Sequence, residues 1–202
     1  MNPTLSHPYL PLKGMTRMTK ADDLGYGALV TRITTIDDVL NDHAAALRDD
    51  FVGYRNHVYR VVNLCVAIAG RNELERIAVA AAFHDLGIWT NHTFDYIAPS
   101  IALAHEYLVA HAREDWITEI ERMIADHHKI TPEADPDSLS EVFRRADWID
   151  VTRGLRRFGI PRSFVARLFA TWPDAGFHWR LVTLTLDRFR RHPLTPLPMV
   201  RL

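Results

Sequence analysis

His57, the adjacent pair His84-Asp85, His105, His127 and Asp147 are the residues of this chain whose types and placement point to chemistry. Each falls on or beside the apolar stripe of a helical pattern, where ordinary polar side chains do not sit. His57 follows Tyr54 by three and precedes Val61 by four; His105 follows Ile101 by four and precedes Leu108 by three. His127 lies four after Met123 and three after Ile124, and Asp147 lies four after Phe143 with Ala146 and Ile149 beside it. His84-Asp85 directly follows the apolar run Ile77 to Phe83. Burying an imidazole or a carboxylate is costly unless it is paired, hydrogen-bonded or metal-bound. One inward histidine is ordinarily a hydrogen-bonded core residue. Five helices that each bring such a group inward instead describe a metal site of the kind that helix bundles build from converging side chains.

The elements that must position these groups are helical throughout. Residues 1 to about 34 carry Pro3, Pro8, Pro11, Gly14, Gly25 and Gly27 without a sustained period, and read as a loop-rich N-terminal arm or lid. From Thr35, read as a cap, the apolar spacing is helical over about 36–47, and a long amphipathic helix from about Phe51 stops near Gly70. Leu74 to Asp85 is apolar all round and must be central, with Gly87 ending it. Further helices are expected near 98–112, 114–129, 139–153, 162–171 and 175–191, with a turn-rich loop at 131–138. No strand alternation is visible. The expectation is one all-α domain over 35–202.

Composition narrows the function classes. The 202 residues carry 24 Lys plus Arg against 25 Asp plus Glu, a net charge of -1, which gives no electrostatic footprint for a nucleic-acid duplex or an anionic membrane. The longest unbroken apolar run has seven residues, far below a membrane span, and MNPTLSHPYL has no signal-peptide pattern. The single cysteine, Cys65, cannot form an internal disulfide and fits a cytoplasmic protein. Among 11 histidines, His7, His43, His111, His178 and His192 show no ligand spacing. Arg188, Arg190 and Arg191 end a helix, where cations complement the dipole.

The order and local context of the inward residues resemble the HD superfamily, helical metal-dependent phosphohydrolases named for their His-Asp doublet. HVYRVV (57–62) is similar to the opening H-x-x-R-V, FHDLG (83–87) to L-H-D-x-G, and IADHH (124–128) to I-x-x-H. RRADWIDVTRG (144–154) is similar to the ending A-D-x-[IL]-D/E-x-x-R, so the resemblance spans about residues 50–155. It implies an HD-type bundle in which His57, His84, Asp85 and Asp147 form a first metal site. His105 and His127 would be the added ligands of the two-metal branch, with Asp85 bridging and His128 replacing or joining His127. Four imidazoles and two carboxylates suit Fe, Mn, Ni, Co or Zn better than Mg, which prefers an all-oxygen shell. Two such ions about 3.5–4 Å apart activate water and clamp a phosphoryl oxygen.

The resemblance therefore implies a hydrolase of a phosphorylated small molecule or nucleotide. Two alternatives stay open: a two-iron oxygenase of the kind related to myo-inositol oxygenase and the phosphonate-cleaving oxygenases, and a non-catalytic metal-binding regulatory module. Arg60, one helical turn from His57, is a candidate for contact with phosphate or with a supporting carboxylate. Lys129 and His92 are further substrate-binding candidates, Arg153 is a weaker one, and Asp150 is either a supporting acid or a surface acid. His92 and Asp95 follow the doublet and are expected at the pocket rim, where Trp89, Phe94 and Tyr96 are candidates to stack on a base or ring. Ile88 stands where several subfamilies carry lysine, and no subfamily matches cleanly. A small-molecule substrate and a homo-oligomer complete the expected partners.

Overall fold

The computed structural model describes residues 26–195 and 197–200. Ten α-helices follow one another among them: α1 (Thr34–Asp42), α2 (Ala44–Leu47), α3 (Phe51–Ala69), α4 (Leu74–Phe83), α5 (Gly87–Thr90), α6 (Ile97–Ala110), α7 (Ile117–Asp126), α8 (Leu139–Val151), α9 (Arg162–Thr171) and α10 (Phe177–Arg191). Single 3-10 turns at Arg48–Asp50 and Glu114–Trp116 lead into α3 and α7. No strand occurs among the described residues. The class is all-α.

The run from Ile77 to Phe83 is buried on every side, so α4 is the central helix, enclosed by α1, α3, α6 and α7. Helix α3 lies along both α4 and α8, which brings its inward face against the two helices that carry the doublet and the late aspartate. Gly70 ends α3 with φ of 85°, a conformation that a side chain would resist. Ser138 caps α8 by accepting from the Glu141 amide at 3.2 Å, which fixes where that helix starts after the 131–138 loop.

Three local expectations change. Thr35 does not cap the first helix: the helix starts at Thr34 behind Ile33, and the Thr35 hydroxyl donates to Glu75 instead. The expected 36–47 helix is split at His43. Gly87 does not end α4, which stops at Phe83; it opens α5 and donates its amide to Ser100 Oγ at 3.0 Å. Of the expected arm or lid, residues 26–33 are described and lie against α3. There Asn63 holds the Val30 amide and carbonyl at 2.8 and 3.0 Å, and the Ile33 amide donates to the Tyr59 hydroxyl at 3.0 Å. Residues 1–25 lie outside the described residues. No described helix is long and apolar enough to cross a membrane.

Candidate metal centre

Four elements converge on one buried point. α3 supplies His57, the turn after α4 supplies His84 and Asp85, the end of α7 supplies His127 and His128, and α8 supplies Asp147. All except His128 are essentially inaccessible to solvent. His57 Nε2 and His84 Nε2 are 2.9 Å apart. Asp85 Oδ2 lies 3.7 and 3.4 Å from them, and Asp147 Oδ1 lies 3.5 and 3.8 Å from them. The other carboxylate oxygens face the opposite way: Asp85 Oδ1 is 3.4 Å from His127 Nε2, and Asp147 Oδ2 is 3.5 Å from His128 Nδ1.

The protons on these rings are fixed by what lies behind them. His57 Nδ1 faces the Asp150 carboxylate at 2.7 Å, His84 Nδ1 faces the Ala81 carbonyl at 2.8 Å, and His127 Nδ1 faces the Ile124 carbonyl at 2.7 Å. Each of those partners only accepts, so each Nδ1 must carry the hydrogen and each neutral Nε2 presents a lone pair. Between neutral rings the 2.9 Å approach of His57 to His84 is lone pair against lone pair. Asp85 Oδ1, His127 Nε2 and both Asp147 oxygens are buried with no hydrogen-bond partner at all. Acceptors gathered without donors are unfavourable until a cation joins them. Two donors about 2.1 Å from one ion at tetrahedral or octahedral angles sit roughly 3.0–3.4 Å apart. The observed separations of 2.9 to 3.8 Å bracket that spacing, so small side-chain adjustments fit the residues to divalent metal.

The electrostatics agree. Burial lowers the His84 pKa to about 3, which keeps its Nε2 free at neutral pH. Burial raises Asp147 to about 7, with His127 and His57 opposing and Asp85 and Asp150 adding to the rise. Burial also pushes Asp85 upward, but His84, His127 and His57 outweigh it and hold the carboxyl well below the ordinary range. His127 is pulled down by burial and raised more by Asp85 and Asp147. The cavity demands positive charge.

A family model for the HD domain matches residues 54–152. The chain carries an HD domain. No curated protein and no solved structure matches it. The HD match begins in α3 and ends just after α8, so it contains all four elements that meet at the cluster. The HD superfamily comprises metal-dependent phosphohydrolases, and the buried His and Asp groups of this domain are of the kind that holds divalent metal.

One expected ligand lies outside the cluster, and one open alternative narrows. His105 is not gathered into the cluster: its side chain is 50% exposed on α6, and its Nδ1 pairs with Glu121 at 2.8 Å. Its spacing from Ile101 and Leu108 placed it beside the buried stripe; the stripe runs through Ala104 and Leu108, and His105 falls just over its edge. His128 joins His127 in the cluster, one of the two possibilities the resemblance left open. Of the two roles open to Arg60, the structure shows contact with a supporting carboxylate. Arg60 is fully buried, grips Asp150 with two bonds of 2.5 and 3.0 Å, and donates to the Trp172 and Pro173 carbonyls. Asp150 in turn orients His57, so Arg60 acts on the cluster through one intermediate. Of the other candidates, Lys129 is partly exposed with Nζ 3.8 Å from Asp126, and His92 is exposed with φ of 50° in the loop after α5. The cluster has neither of them among its grouped residues.

Several supporting contacts were invisible in the sequence, although Tyr96 itself stood among the pocket candidates. Tyr96 places its hydroxyl 2.7 Å from His128 Nε2. The approach depends on Gly87, where a Cβ would lie 2.6 Å from the Tyr96 carbonyl oxygen. Tyr54 donates to the Ala82 carbonyl and accepts from the Asp85 amide, fixing the turn that presents the doublet. Phe177, the first residue of α10, stacks on the His57 ring with centroids 4.1 Å apart. Gly53 allows that contact, because a Cβ there would meet the Ala175 carbonyl at 3.0 Å. Arg144 and Trp148 both donate to the Lys129 carbonyl at 3.2 Å, which pins the turn carrying His127 and His128. These contacts join residues far apart in the chain, so no local spacing announces them.

Proposed function

We propose that this HD domain is a hydrolase of a phosphorylated small molecule or nucleotide, working through two adjacent divalent transition-metal ions. The observation that carries it is the convergence of acceptor atoms without donors. His57, His84, Asp85 and Asp147 would hold one ion, and His127 and His128, with the same two aspartates, would hold the second. Bound there, such ions activate water and stabilise charge developing on a phosphoryl group.

The chain's own residues do the rest. Asp150 accepts the Nδ1 proton of His57, and the Ala81 and Ile124 carbonyls do the same for His84 and His127, so all three rings are locked in one tautomer. Phe177 and Tyr54 cover the imidazoles and keep bulk water off them. Tyr96 bonds His128 at the partly open side of the cluster, where a substrate would approach.

The test is phosphate release from a panel of phosphate monoesters and nucleotides, without dioxygen, by protein loaded separately with Mn, Fe, Co, Ni or Zn. Metal-dependent release that is abolished in Asp147→Ala supports the reading. Substrate consumption that requires dioxygen and two irons would replace it with the oxygenase.

A further inference from the structure

Away from the cluster, α10 stands off from the Ala46–Asp50 segment and the loop after α5, leaving a cleft of about 620 Å³. Small-molecule sites fall at roughly 300–1,000 Å³. None of the candidate metal ligands lines it. Trp89 forms the wall between: one side of its ring faces the cleft, and it packs 4.7 Å from Tyr54, which covers His57 and His84.

The charges of this cleft are unevenly spent. Asp50 is committed, accepting from Trp89 Nε1 at 2.8 Å and pairing with Arg180 at 3.1 Å. Asp187 pairs with Arg190, outside the cleft, at 3.2 Å. Among the described residues Arg48 and Arg191 have no ion-pair or side-chain hydrogen-bond partner, and Arg188 has only the Thr195 carbonyl at 3.3 Å. Three arginines thus line the cleft beside one uncommitted carboxylate, Asp49. The helix dipole explains cations at the end of α10, but not Arg48, which reaches the same space from the 3-10 turn on the other side. His92 and His192 add two more donors to the lining. Guanidinium groups converging from two walls recognise phosphate oxygens bidentately, and a cleft focuses their field.

We propose that this cleft binds a compact phosphate-bearing polyanion, at a site separate from the metal cluster. The proposal does not rest on the hydrolase reading, since it needs neither metal nor turnover. Isothermal titration of the full chain with inorganic tripolyphosphate, ATP and adenosine tests it. Tripolyphosphate and ATP bind, weakening as salt rises, and adenosine does not. The double variant R188E/R191E loses about tenfold or more in affinity, while R32E/R162E, with the same charge change at exposed positions outside the cleft, does not. The variant Asp85→Ala, checked for helicity by circular dichroism, keeps the binding. Equal losses in the two charge-reversal pairs would reduce the effect to net charge and overturn the site. So would adenosine binding as well as ATP, or tripolyphosphate binding that follows Asp85 instead of the arginines.

Discussion

At the residue scale the cluster depends on what stands behind each ring. Asp150 is the clearest case: it neutralises buried Arg60 and orients His57 at once, and both neighbours hold its pKa far below the ordinary range against the opposing effect of burial. Replacing it by Asn keeps the shape but leaves the guanidinium without its counter-charge. Asp150→Asn is predicted to cost about 3–5 kcal/mol in urea unfolding, as breaking a buried pair does. It is also predicted to weaken metal binding roughly 10–100-fold by competition with a chelating dye. An unchanged unfolding midpoint would contradict the role. His105 supplies the opposite prediction. Because it is exposed and paired with Glu121, His105→Ala should leave metal content unchanged, whereas His127→Ala should lower it. The sequence period carried most of the cluster, since His57, His84, Asp85, His127 and Asp147 all turned inward together. It failed for His105 because a stripe edge cannot be placed to within one residue by spacing alone.

The elements matter through where they let backbones approach. Gly87 and Gly53 each admit a neighbouring chain segment that a methyl group would displace, and each contact ends at a ring of the cluster. Gly87→Ala is predicted to destabilise by about 1–3 kcal/mol, the range for forced overpacking. Its thermal midpoint should fall with metal content, because Tyr96 and the loop it belongs to must move. A variant with wild-type stability and metal content would show that the 2.6 Å approach relaxes freely. Eight helices and their approximate bounds were legible because apolar spacing encodes them directly: α3, α4, α8 and α9 lie close to where the period puts them, whereas the split of the first helix and the short α5 bring the number to ten. The helix breaks at His43 and after Phe83 were not, because the contacts made there, His43 with Phe83 and Tyr54 with the Ala82 carbonyl and Asp85 amide, join residues far apart in the chain. Gly87 read as a stop signal for the same reason: its contact partner, Ser100, lies 13 residues further on.

On the scale of the whole molecule, the HD match alone does not complete the site. Helix α10 lies beyond residue 152, yet Phe177 covers His57, and the Trp172 and Pro173 carbonyls hold Arg60. A second buried network around Glu141 ties α8 to the 131–138 loop and gives the fold an acid limit. Burial pushes Glu141 upward, but the bonds from Arg144, the Glu133 amide and Arg145 outweigh it and hold the carboxyl at about 2, below its ordinary 4.5. A group whose folded pKa is depressed stabilises above its unfolded value and loses that contribution as pH falls through the folded one. The stability advantage of wild type over Glu141→Gln should therefore be full above about pH 4.5 and shrink between there and pH 2. Denaturant unfolding across that range measures it, and a constant difference would contradict the assignment.

The central claim is that the donor-free gathering of imidazoles and carboxylates holds metal. Its most direct measurement is metal identity and stoichiometry, by plasma mass spectrometry, on anaerobically purified wild type and Asp85→Ala. The account predicts about two transition-metal ions per wild-type chain, as in two-metal sites, and near-complete loss in the variant. Metal-free wild type, or a folded Asp85→Ala that retains its full complement, would contradict it.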